Sequence, residues 1–559
     1  MRRTVRISDN IVSPLGFSSE ANYAAVKAGR SEIRRHEGTF GVPQPFAASL
    51  FDRDVVMAKA AECGIPAGLS LFDTICLLSA TLALEGSGVD TRSPKTAFIL
   101  STTKGNVELI GEEDVDQTRA LLGFSARLIG EFFGNPNPVE VVSNACISGV
   151  CAIIQASRMI ADGSYDHVVV VGAEVQSRFI ISGFLCLKAL SDSLCRPFDA
   201  SRCGLNAGEA AATMVLAASD KVEDSQWEVV RGAIRNDANH ISGPSRTGEG
   251  SYNALRYVLE ASRKDELAFV NVHGTATVYN DEMESIALDR AGLSDMPVNA
   301  LKGIYGHTMG AAGVLESIIS IHACEDGTVL GTRGYSERGT SRPVNVSAEN
   351  RTTDRTAFVK LLSGFGGCNA AVLFRKGDGP GGEIPAEPEL ETKKTVRLSS
   401  EDCDLVALYR EQVGDYPKFF KMDTLCKLGF LATELLLKGE DRTELREDRA
   451  VLLFNTSGSV CNDRHFQETV SDPEGWFPSP ALFVYTLANI VTGELAIRNR
   501  FKGESSFHVL GKKDQAQMDR IIREAFMDGV TRTAVCGWVE CSADDCFEAE
   551  ISLISKKNS

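Results

Sequence analysis

The change from a valine-rich run to small residues at positions 141–149 constrains the fold of this chain more than any other feature. The run that ends at Val142 is typical of a strand, and a helical pattern then continues to a turn signal at Asp162-Gly163. The apolar run at 168–171 predicts a second, buried strand. This order places Cys146 at a helix N-terminus, where unpaired N–H groups favour a thiolate over a thiol.

Residues far downstream of Cys146 make it a candidate nucleophile. The chain has 15 cysteines, and a lone cysteine in apolar surroundings is usually a buried structural residue. His273 and His307, however, each follow a short apolar run and precede small residues, so each imidazole can reach a cavity. Lys302 lies five residues before His307. A thiol, two such histidines and a lysine form a set that is typical of covalent catalysis.

Six motifs between residues 3 and 376 resemble those of elongating β-ketoacyl-acyl-carrier-protein synthases, the condensing enzymes of the thiolase superfamily. Together and in this order they are far more specific than any one of them alone. The motifs are Val12-Ser13-Pro14-Leu15-Gly16; Asn144-Ala145-Cys146-Ile147-Ser148-Gly149; Arg196-Pro197-Phe198-Asp199 with Gly208-Glu209-Ala210-Ala211; the segments around His273 and around Lys302 and His307; and Gly364-Phe365-Gly366-Gly367-Cys368-Asn369. The resemblance implies an α/β, thiolase-like layered fold made of two βαβαβ halves.

The activity that the resemblance implies is that of an acyltransferase, a decarboxylative Claisen condensation. Cys146 would hold an acyl group as a thioester, and loss of CO₂ from malonyl-acyl-carrier protein would supply the carbanion. His273 and His307 would donate hydrogen bonds to the enolate oxygen, each such donor lowering the barrier by ~3 kcal/mol. The product is a 3-oxoacyl-acyl-carrier protein of fatty acid or polyene/polyketide-type biosynthesis.

Further roles follow from the same resemblance. Lys302 would orient and polarise the histidines together with Asp281 and Glu284, and its charge would keep both imidazoles neutral. Backbone N–H groups of Cys146 and Phe365 would form the oxyanion hole, with Phe365 in a gating loop.

Two threonines would bind the pantetheine arm of the carrier. Thr275 and Thr277 have these positions in the motif, although β-branched residues at a strand end are an equally good interpretation without it. The chain departs from the family pattern at Ser363, which replaces an aromatic residue, so the gating loop is expected to pack differently. Ala276 replaces a glycine, and this change is expected to be sterically mild.

Composition agrees with a cytoplasmic enzyme. The cysteines have no disulfide-framework spacing and no signal peptide pattern is present, which indicates a reducing compartment. The apolar runs are too short to span a membrane, and a net charge of −17 argues against nucleic acid. No cysteine–histidine quartet with metal-ligand spacing is present. We therefore expect no metal and no cofactor other than the phosphopantetheine of an acyl carrier protein, which carries the malonyl and acyl thioesters.

The last third of the chain resembles the start of the same fold again. The segments beginning at Asp73 and Ala97 are echoed, in order, by segments beginning at Asp423 and Ala450, and residues 478–503 resemble a ketosynthase segment that precedes the nucleophile. The position equivalent to Cys146 is Gly511 or Lys512, so this copy has no nucleophile. A generic α/β appendage with chance similarity is the alternative interpretation.

These observations divide the chain into a ketosynthase at 1–376, with halves at about 1–225 and 226–376, a linker at 377–393, and a degenerate N-terminal-half domain at 394–559. Since ketosynthases dimerise through their N-terminal halves, we expect a dimer, or a pseudo-dimer in which this domain takes the partner's place. Two other functions stay open: a non-catalytic chain-length factor or scaffold, and a coenzyme A-dependent enzyme of the thiolase superfamily. Neither the acyl chain nor the pathway can be inferred from the residues.

A basic strip is needed for a carrier protein, because acyl carrier proteins are themselves acidic and this chain is acidic as well. Lys418 and Lys421 lie three apart beside aromatic residues at a predicted helix start, and Lys59 is a weaker candidate. An ordinary solvated helix edge is an equally good interpretation of the two lysines.

Overall fold

A computed structural model of the protein describes residues 2–377, 379, 388–472 and 475–557. The strands are β1 Arg3–Val12, β2 Arg34–His36, β3 Phe46–Ser49, β4 Thr96–Ser101, β5 Glu140–Val142, β6 His167–Glu174, β7 Ala207–Gly208, β8 Ala210–Ser219, β9 Trp227–Asn236, β10 Leu267–Asn271, β11 Pro297–Asn299, β12 Thr328–Val329, β13 Asn345–Val346, β14 Arg351–Thr352, β15 Ala357–Gly364, β16 Cys368–Lys376, β17 Leu390–Ser399, β18 Arg449–Asn455, β19 Ser505–Val509, β20 Thr533–Ala543 and β21 Cys546–Lys556. The helices are α1 Ser19–Lys27, α2 Arg53–Glu62, α3 Leu71–Leu84, α4 Leu122–Phe133, α5 Ser148–Ala161, α6 Arg178–Cys186, α7 Glu249–Leu259, α8 Val278–Arg290, α9 Lys302–Tyr305, α10 Met309–Glu325, α11 Leu405–Gln412, α12 Thr424–Leu436, α13 Val460–Ser471, α14 Pro480–Val484, α15 Ile490–Asn499 and α16 Gln515–Ala525.

Most strands of the described residues join one continuous sheet of sixteen strands, which consists of three consecutive blocks and the edge strand β13. In chain order, the first block is β1-β8-β6-β4-β5, the second is β9-β16-β15-β10-β11 and the last is β17-β21-β20-β18-β19, each given from its first strand; the first block lies between the other two in the sheet. Numbered along the chain within its block, each set has the order 1-5-4-2-3. In each block, strand 5 is antiparallel to strands 1 and 4, whereas strand 2 is parallel to strands 3 and 4.

Two buried helices join the first two blocks into a layered structure. Helix α5 follows β5 of the first half, and α10 belongs to the second half; nearly every residue of both is buried. The helices approach closely where Gly149 faces Gly313, since a Cβ on Gly149 would lie 2.9 Å from the Cα of Gly313. The predicted thiolase-like fold of two βαβαβ halves is confirmed. So are the helix after Cys146, which ends at Ala161, and the buried valine strand β6.

The last block is hydrogen-bonded to the first through its third strand, β19, which runs antiparallel to β5. Ser143 N–H donates to the Phe507 carbonyl at 3.1 Å, and the Asn144 side chain donates to the Ser505 carbonyl at 2.8 Å. Arg158 donates from both guanidinium nitrogens to the Glu504 carboxylate, at 2.9 and 2.7 Å. The segment that carries Cys146 is therefore fixed by the last block as well as by its own.

The boundary between the second and third blocks differs from the prediction. Strand β17 begins at Leu390, so the linker does not extend to residue 393: residues 390–392 already lie opposite residues 556–554 of β21. The central part of the predicted linker, 378 and 380–387, lies outside the described residues. Across the described ranges, no helix combines the length and the apolar composition that crossing a membrane requires.

Candidate active site

The candidate nucleophile lies in a strained turn between β5 and α5. A single 3₁₀ turn, Ala145–Ile147, precedes the helix, and Ala145 has a φ of 49°, which is rare for a residue with a Cβ. Ser148 holds this turn, because its hydroxyl accepts from Asn144 N–H at 2.7 Å and donates to the Ala145 carbonyl at 2.6 Å. Cys146 therefore lies where the first half meets the second, and it lines a cavity together with residues of both halves.

The resting thiol is protonated, contrary to the expectation from its helix N-terminus. Burial raises the pKa of Cys146 to about 12, although the ammonium group of Lys302 partly opposes this shift. Loss of solvation therefore outweighs the helix terminus. The thiol must give up its proton during the reaction rather than before it.

His307 is fixed as a hydrogen-bond donor toward Cys146. Its Nδ1 accepts a hydrogen bond from the backbone N–H of Met309 at 3.2 Å, so the proton of the neutral ring is on Nε2. Nε2 lies 3.0 Å from the Cys146 sulfur. Burial, followed by the charges of Lys302 and Lys360, holds the pKa of His307 well below its usual value, so the ring stays neutral.

His273 lies beside His307, with ring centroids 5.0 Å apart in an edge-on arrangement. Burial is the largest cause that holds the pKa of His273 well below its usual value, and the charge of Lys302, the cause that the sequence analysis named, comes second. Its backbone N–H donates to Glu284 at 2.7 Å, but its buried Nδ1 has no partner among the described residues. The tautomer of His273, unlike that of His307, is therefore not fixed by the protein.

Lys302 pairs with a residue that the sequence analysis did not select. Its ammonium group donates to Glu316 of α10 at 2.9 Å, rather than to the predicted partners Asp281 and Glu284. The second carboxylate oxygen of Glu316 accepts from Lys360 of β15. Burial alone would raise the pKa of Glu316, but the two ammonium groups hold it below its usual value.

Asp281 and Glu284 instead hold the backbone that presents His273. Asp281 accepts from the N–H groups of Phe198 at 2.7 Å and Ala276 at 3.2 Å, and Glu284 accepts from Gly274 N–H at 2.8 Å as well as from His273. Both carboxylates are fully buried, and burial raises the pKa of Asp281 to about 6 and that of Glu284 to about 7. The Asn280 side chain also donates to both carboxylates, at 3.3 Å to Asp281 and 2.9 Å to Glu284, and all three residues lie on α8, which begins directly after this loop.

The alanine at 276 is less benign than predicted. Its φ is 59°, in the left-handed region, where a Cβ costs about 1–2 kcal/mol. On either side of it, Thr275 and Thr277 place their hydroxyl oxygens 2.9 Å apart and line the same cavity as Cys146. The strain is therefore located in the loop that faces the substrate.

A cavity of about 440 Å³ connects these groups with the surface. Cys146, His273, His307 and Phe365 line its inner end, and Tyr279, whose side chain is 78% exposed, lies at its rim. Strand β15 ends directly against the nucleophile, since a Cβ on Gly364 would lie 3.3 Å from the Cys146 nitrogen. The predicted site residues Cys146, His273, His307, Thr275, Thr277 and Phe365 are thus brought to one cavity.

The last block also reaches this site. Its Asn489 donates from the side chain to the Phe365 carbonyl at 2.8 Å. A small apolar cavity of about 30 Å³ beside Cys146 is lined by Phe184 of the first block together with Phe483 and Leu487 of the last. The floor next to the nucleophile is therefore shared between two blocks.

The same three side chains could in principle hold a metal ion. The sulfur of Cys146 and one ring nitrogen from each of His273 and His307 lie within 4.8 Å of one another, and this is a ligand set that zinc accepts. Since the Met309 N–H occupies Nδ1 of His307, however, the Nε2 that faces Cys146 carries a proton and has no free lone pair. A metal would have to displace this hydrogen bond first.

Sequence reasoning missed Glu316, Lys360 and Asn489. A usable signal existed for the first two, since Glu316 interrupts the apolar run 311–321 and Lys360 interrupts the apolar run 357–362. A lone charge in a buried run requires a partner, but the sequence does not say which one. Asn489 carries no such signal, because polar residues are common at the start of a helix.

The proposed basic strip is only partly available to a partner. The Lys418 ammonium group is 2.8 Å from the buried carboxylate of Glu494, which also accepts from the Tyr485 hydroxyl. Lys421 is exposed and makes no ion pair in the part of the chain that the structure describes. Lys59 pairs with Glu62 on its own helix at 3.0 Å. Of these lysines, Lys421 is the cation that remains for an acidic partner.

Similarity to known proteins agrees with this arrangement. The family model described as the β-ketoacyl synthase N-terminal domain matches residues 12–221, and the β-ketoacyl synthase C-terminal domain model matches residues 227–336. The 3-oxoacyl-[acyl-carrier-protein] synthase 2 of Vibrio cholerae is 30% identical over 418 residues, covering 67% of this chain and 99% of the relative.

Solved structures give the same result for the fold. A β-ketoacyl synthase from Burkholderia phymatum is 25% identical, with a TM-score of 0.58 over 68% of this chain and 100% of its own. The PfaC keto synthase–chain length factor matches 100% of this chain and 78% of its own with a TM-score of 0.78; at 13% identity this likeness concerns the fold alone. With both family models matched in order and a relative covered almost completely, the chain belongs to the β-ketoacyl synthase family.

Proposed function

We propose that this protein is an acyltransferase that condenses an acyl group on Cys146 with malonyl-acyl-carrier protein and releases 3-oxoacyl-acyl-carrier protein and CO₂. The observation that carries the proposal is the meeting of Cys146, His273 and His307 at the inner end of one cavity. The names of the relatives support a carrier-protein substrate in fatty acid or polyketide synthesis. No cofactor is needed beyond the phosphopantetheine of the carrier.

In the loading step, the Cys146 sulfur attacks the thioester carbonyl of the acyl-carrier protein. A carbon–sulfur bond forms to Cys146, the bond to the pantetheine sulfur breaks, and the thiol proton ends on the departing pantetheine. The backbone N–H groups of Cys146 and Phe365 are the oxyanion donors in this proposal. The hydrogen bond from Asn489 to the Phe365 carbonyl fixes the peptide that follows Phe365, next to the Gly364–Phe365 peptide whose N–H is the proposed donor.

In the condensation step, the malonyl thioester loses CO₂ and leaves an enolate. The enolate oxygen lies next to the Cys146 sulfur in this proposal, where the Nε2–H of His307 and a ring N–H of His273 donate to it. The enolate carbon then attacks the acyl carbonyl, the carbon–sulfur bond to Cys146 breaks, and the sulfur takes up a proton. Thr275 and Thr277 hold the pantetheine arm along the cavity wall.

The last block, in this proposal, is a degenerate copy of the N-terminal half that replaces a dimer partner. Its strand order and strand directions match those of the first block, and the antiparallel pairing of β5 with β19 supports a pseudo-twofold axis between them. Phe483 and Leu487 help to close the small cavity next to Cys146, whose 30 Å³ is about the share of one water molecule in the liquid. An acyl chain longer than this space requires those side chains to move.

Intact-mass analysis after exposure to a panel of acyl-carrier proteins tests the proposed function. We expect the wild-type protein to gain the mass of an acyl group, Cys146→Ala to gain none while keeping its melting temperature, and Cys546→Ala, which removes an exposed cysteine of β21, to load normally. Condensation of an acyl primer with malonyl-carrier protein by Cys146→Ala would refute the nucleophile. If the wild-type protein neither loads nor condenses with any carrier, a non-catalytic chain-length factor becomes the better interpretation.

A further inference from the structure

A buried charge cluster lies behind the two histidines. Lys302 of α9, Glu316 of α10 and Lys360 of β15 come from three separate elements, and each has at most 2% of its surface exposed. The Lys360 ammonium group donates to Glu316 and, at 2.5 Å, to the side-chain oxygen of Asn271; it also lies 3.4 Å from the carbonyl of Val272. Val272 directly precedes His273.

Two cations share one carboxylate in this cluster. Lys302 alone would neutralise Glu316, so Lys360 adds a positive charge that no second carboxylate balances within the three-residue cluster. Burying such a charge costs several kcal/mol, and a neutral side chain of similar volume is often as stable or more stable at a buried ion pair. Packing therefore does not require a lysine at 360. A positive charge close to the site where an enolate develops would instead stabilise that enolate.

We propose that Lys360 is a positioning residue for the decarboxylation step: Glu316 and Asn271 hold it behind His273, where its charge favours the enolate. This inference rests on the proposed function. Lys360 also lies on β15, the strand that ends at Gly364 against the Cys146 backbone, so the same element supplies the charge and the gating loop. The loading step creates no enolate, so the loss of this charge should not slow it.

The charge of Lys360 can be switched in an accessible pH range. Burial lowers the pKa of Lys360 to about 8, an effect that Glu316 opposes and Lys302 reinforces. The titratable groups that face the cluster are Lys302, Glu316 and Glu284, together with the imidazoles of His273 and His307. The ammonium form is complete well below pH 8 and is lost as the pH rises through that value.

Substitution of Lys360 by methionine and by glutamine tests this role. Both variants remove the charge, and glutamine keeps a donor for Asn271, so that at least one of them is expected to fold. Lys502→Met is the matched control, since it removes a lysine from an ion pair with Glu249 that does not line the cavity. The assay measures CO₂ release from malonyl-carrier protein by acyl-loaded enzyme, with acyl loading followed separately by mass.

At pH 7 we expect each Lys360 variant to release CO₂ about tenfold more slowly than the wild type, less than the loss of a direct oxyanion donor, while acyl loading stays unchanged. The ratio of wild-type to variant rates should fall toward one between pH 7 and pH 9, because the wild type loses the same charge. A merely structural role would leave that ratio constant. A constant ratio, or variants as fast as the wild type, would overturn the inference; a wild-type protein that releases no CO₂ would instead overturn the proposed function.

Discussion

The first and last blocks of the sheet have the same strand order, but only the first carries reactive groups. After β5, the chain passes through Ala145 and the half-buried Cys146 into α5; after β19, it passes through Gly511 and Lys512 into α16. The side chain of Lys512 is 80% exposed, whereas Cys146 lies at the inner end of a cavity. The comparison shows that the scaffold alone does not confer chemistry: the short connection after the third strand does, together with the histidines that another block presents to it.

The last block is nevertheless not remote from the site. Asn489 holds the Phe365 peptide, and Phe483 and Leu487 close the space beside Cys146. A block without a nucleophile can thus supply surface that completes its neighbour's site. This gives the comparison a testable form: changes in the first two blocks should abolish chemical steps, and changes in the last block should slow them.

The largest effect is expected from the two histidines, whose removal should make the first block nearly as inert as the last. His273→Ala and His307→Ala should still load acyl groups onto Cys146 but release CO₂ from malonyl-carrier protein about 10²–10³-fold more slowly, the loss typical of an oxyanion donor. Loading is measured by intact mass and decarboxylation by CO₂ release. Wild-type decarboxylation rates in both variants would show that the enolate is stabilised elsewhere.

The structure also separates what could be read from the sequence from what could not. The strand–helix–strand order around Cys146 and the positions of His273 and His307 follow from local pattern and motif, because each depends on neighbours in the sequence. The pairing of Glu316 with Lys302 and Lys360 joins three elements of the second half that are separated along the chain, so no local pattern reveals it.

Burial accounts for a second kind of error. The helix N-terminus predicted a thiolate at Cys146, but the pKa of a thiol also depends on how much water it retains, which is a property of the whole fold. Likewise, the glycine that the family pattern has at position 276 is a signal for a left-handed backbone, but its replacement by alanine was predicted to be sterically mild. Both errors concern the environment of a residue rather than its position.

An intermediate effect is expected at Asn489, which tests whether the last block acts on the site by contact. Asn489→Ala removes the hydrogen bond to the Phe365 carbonyl, worth about 0.5–1.5 kcal/mol, so acyl loading should slow by up to about tenfold. Asn499→Ala is the matched control, because that buried asparagine lies on the same block and, among the described residues, its side chain bonds only its own helix, at the Leu495 carbonyl. Equal loading by the two variants would mean that the last block supports the site only as a scaffold.

The smallest effect on loading is expected for two neighbouring lysines of the last block. Lys421 is exposed, whereas Lys418 pairs with the buried Glu494. Lys421→Glu should slow loading from an acyl carrier protein by about twofold to fivefold, the size of an exposed charge interaction, and the effect should disappear at high salt. Loading from a small pantetheine thioester should be unchanged. Lys418→Glu should instead lower the free energy of unfolding by about 2 kcal/mol, because it places a second carboxylate against the buried Glu494.

Stopped-flow loading at two salt concentrations and chemical denaturation distinguish these outcomes. Lys438→Glu is the control for a general change of charge, because Lys438 is another lysine of the last block and its side chain bonds only Gln412 in the part of the chain that the structure describes. If Lys421→Glu and Lys438→Glu slow loading equally, the effect is one of net charge and the carrier binds elsewhere. If Lys421→Glu slows loading from both donors, the substitution has disturbed the site through the contacts that link this block to Phe365. Only a salt-dependent loss that is confined to Lys421 and to the carrier-bound donor assigns carrier binding to the block that has no nucleophile of its own.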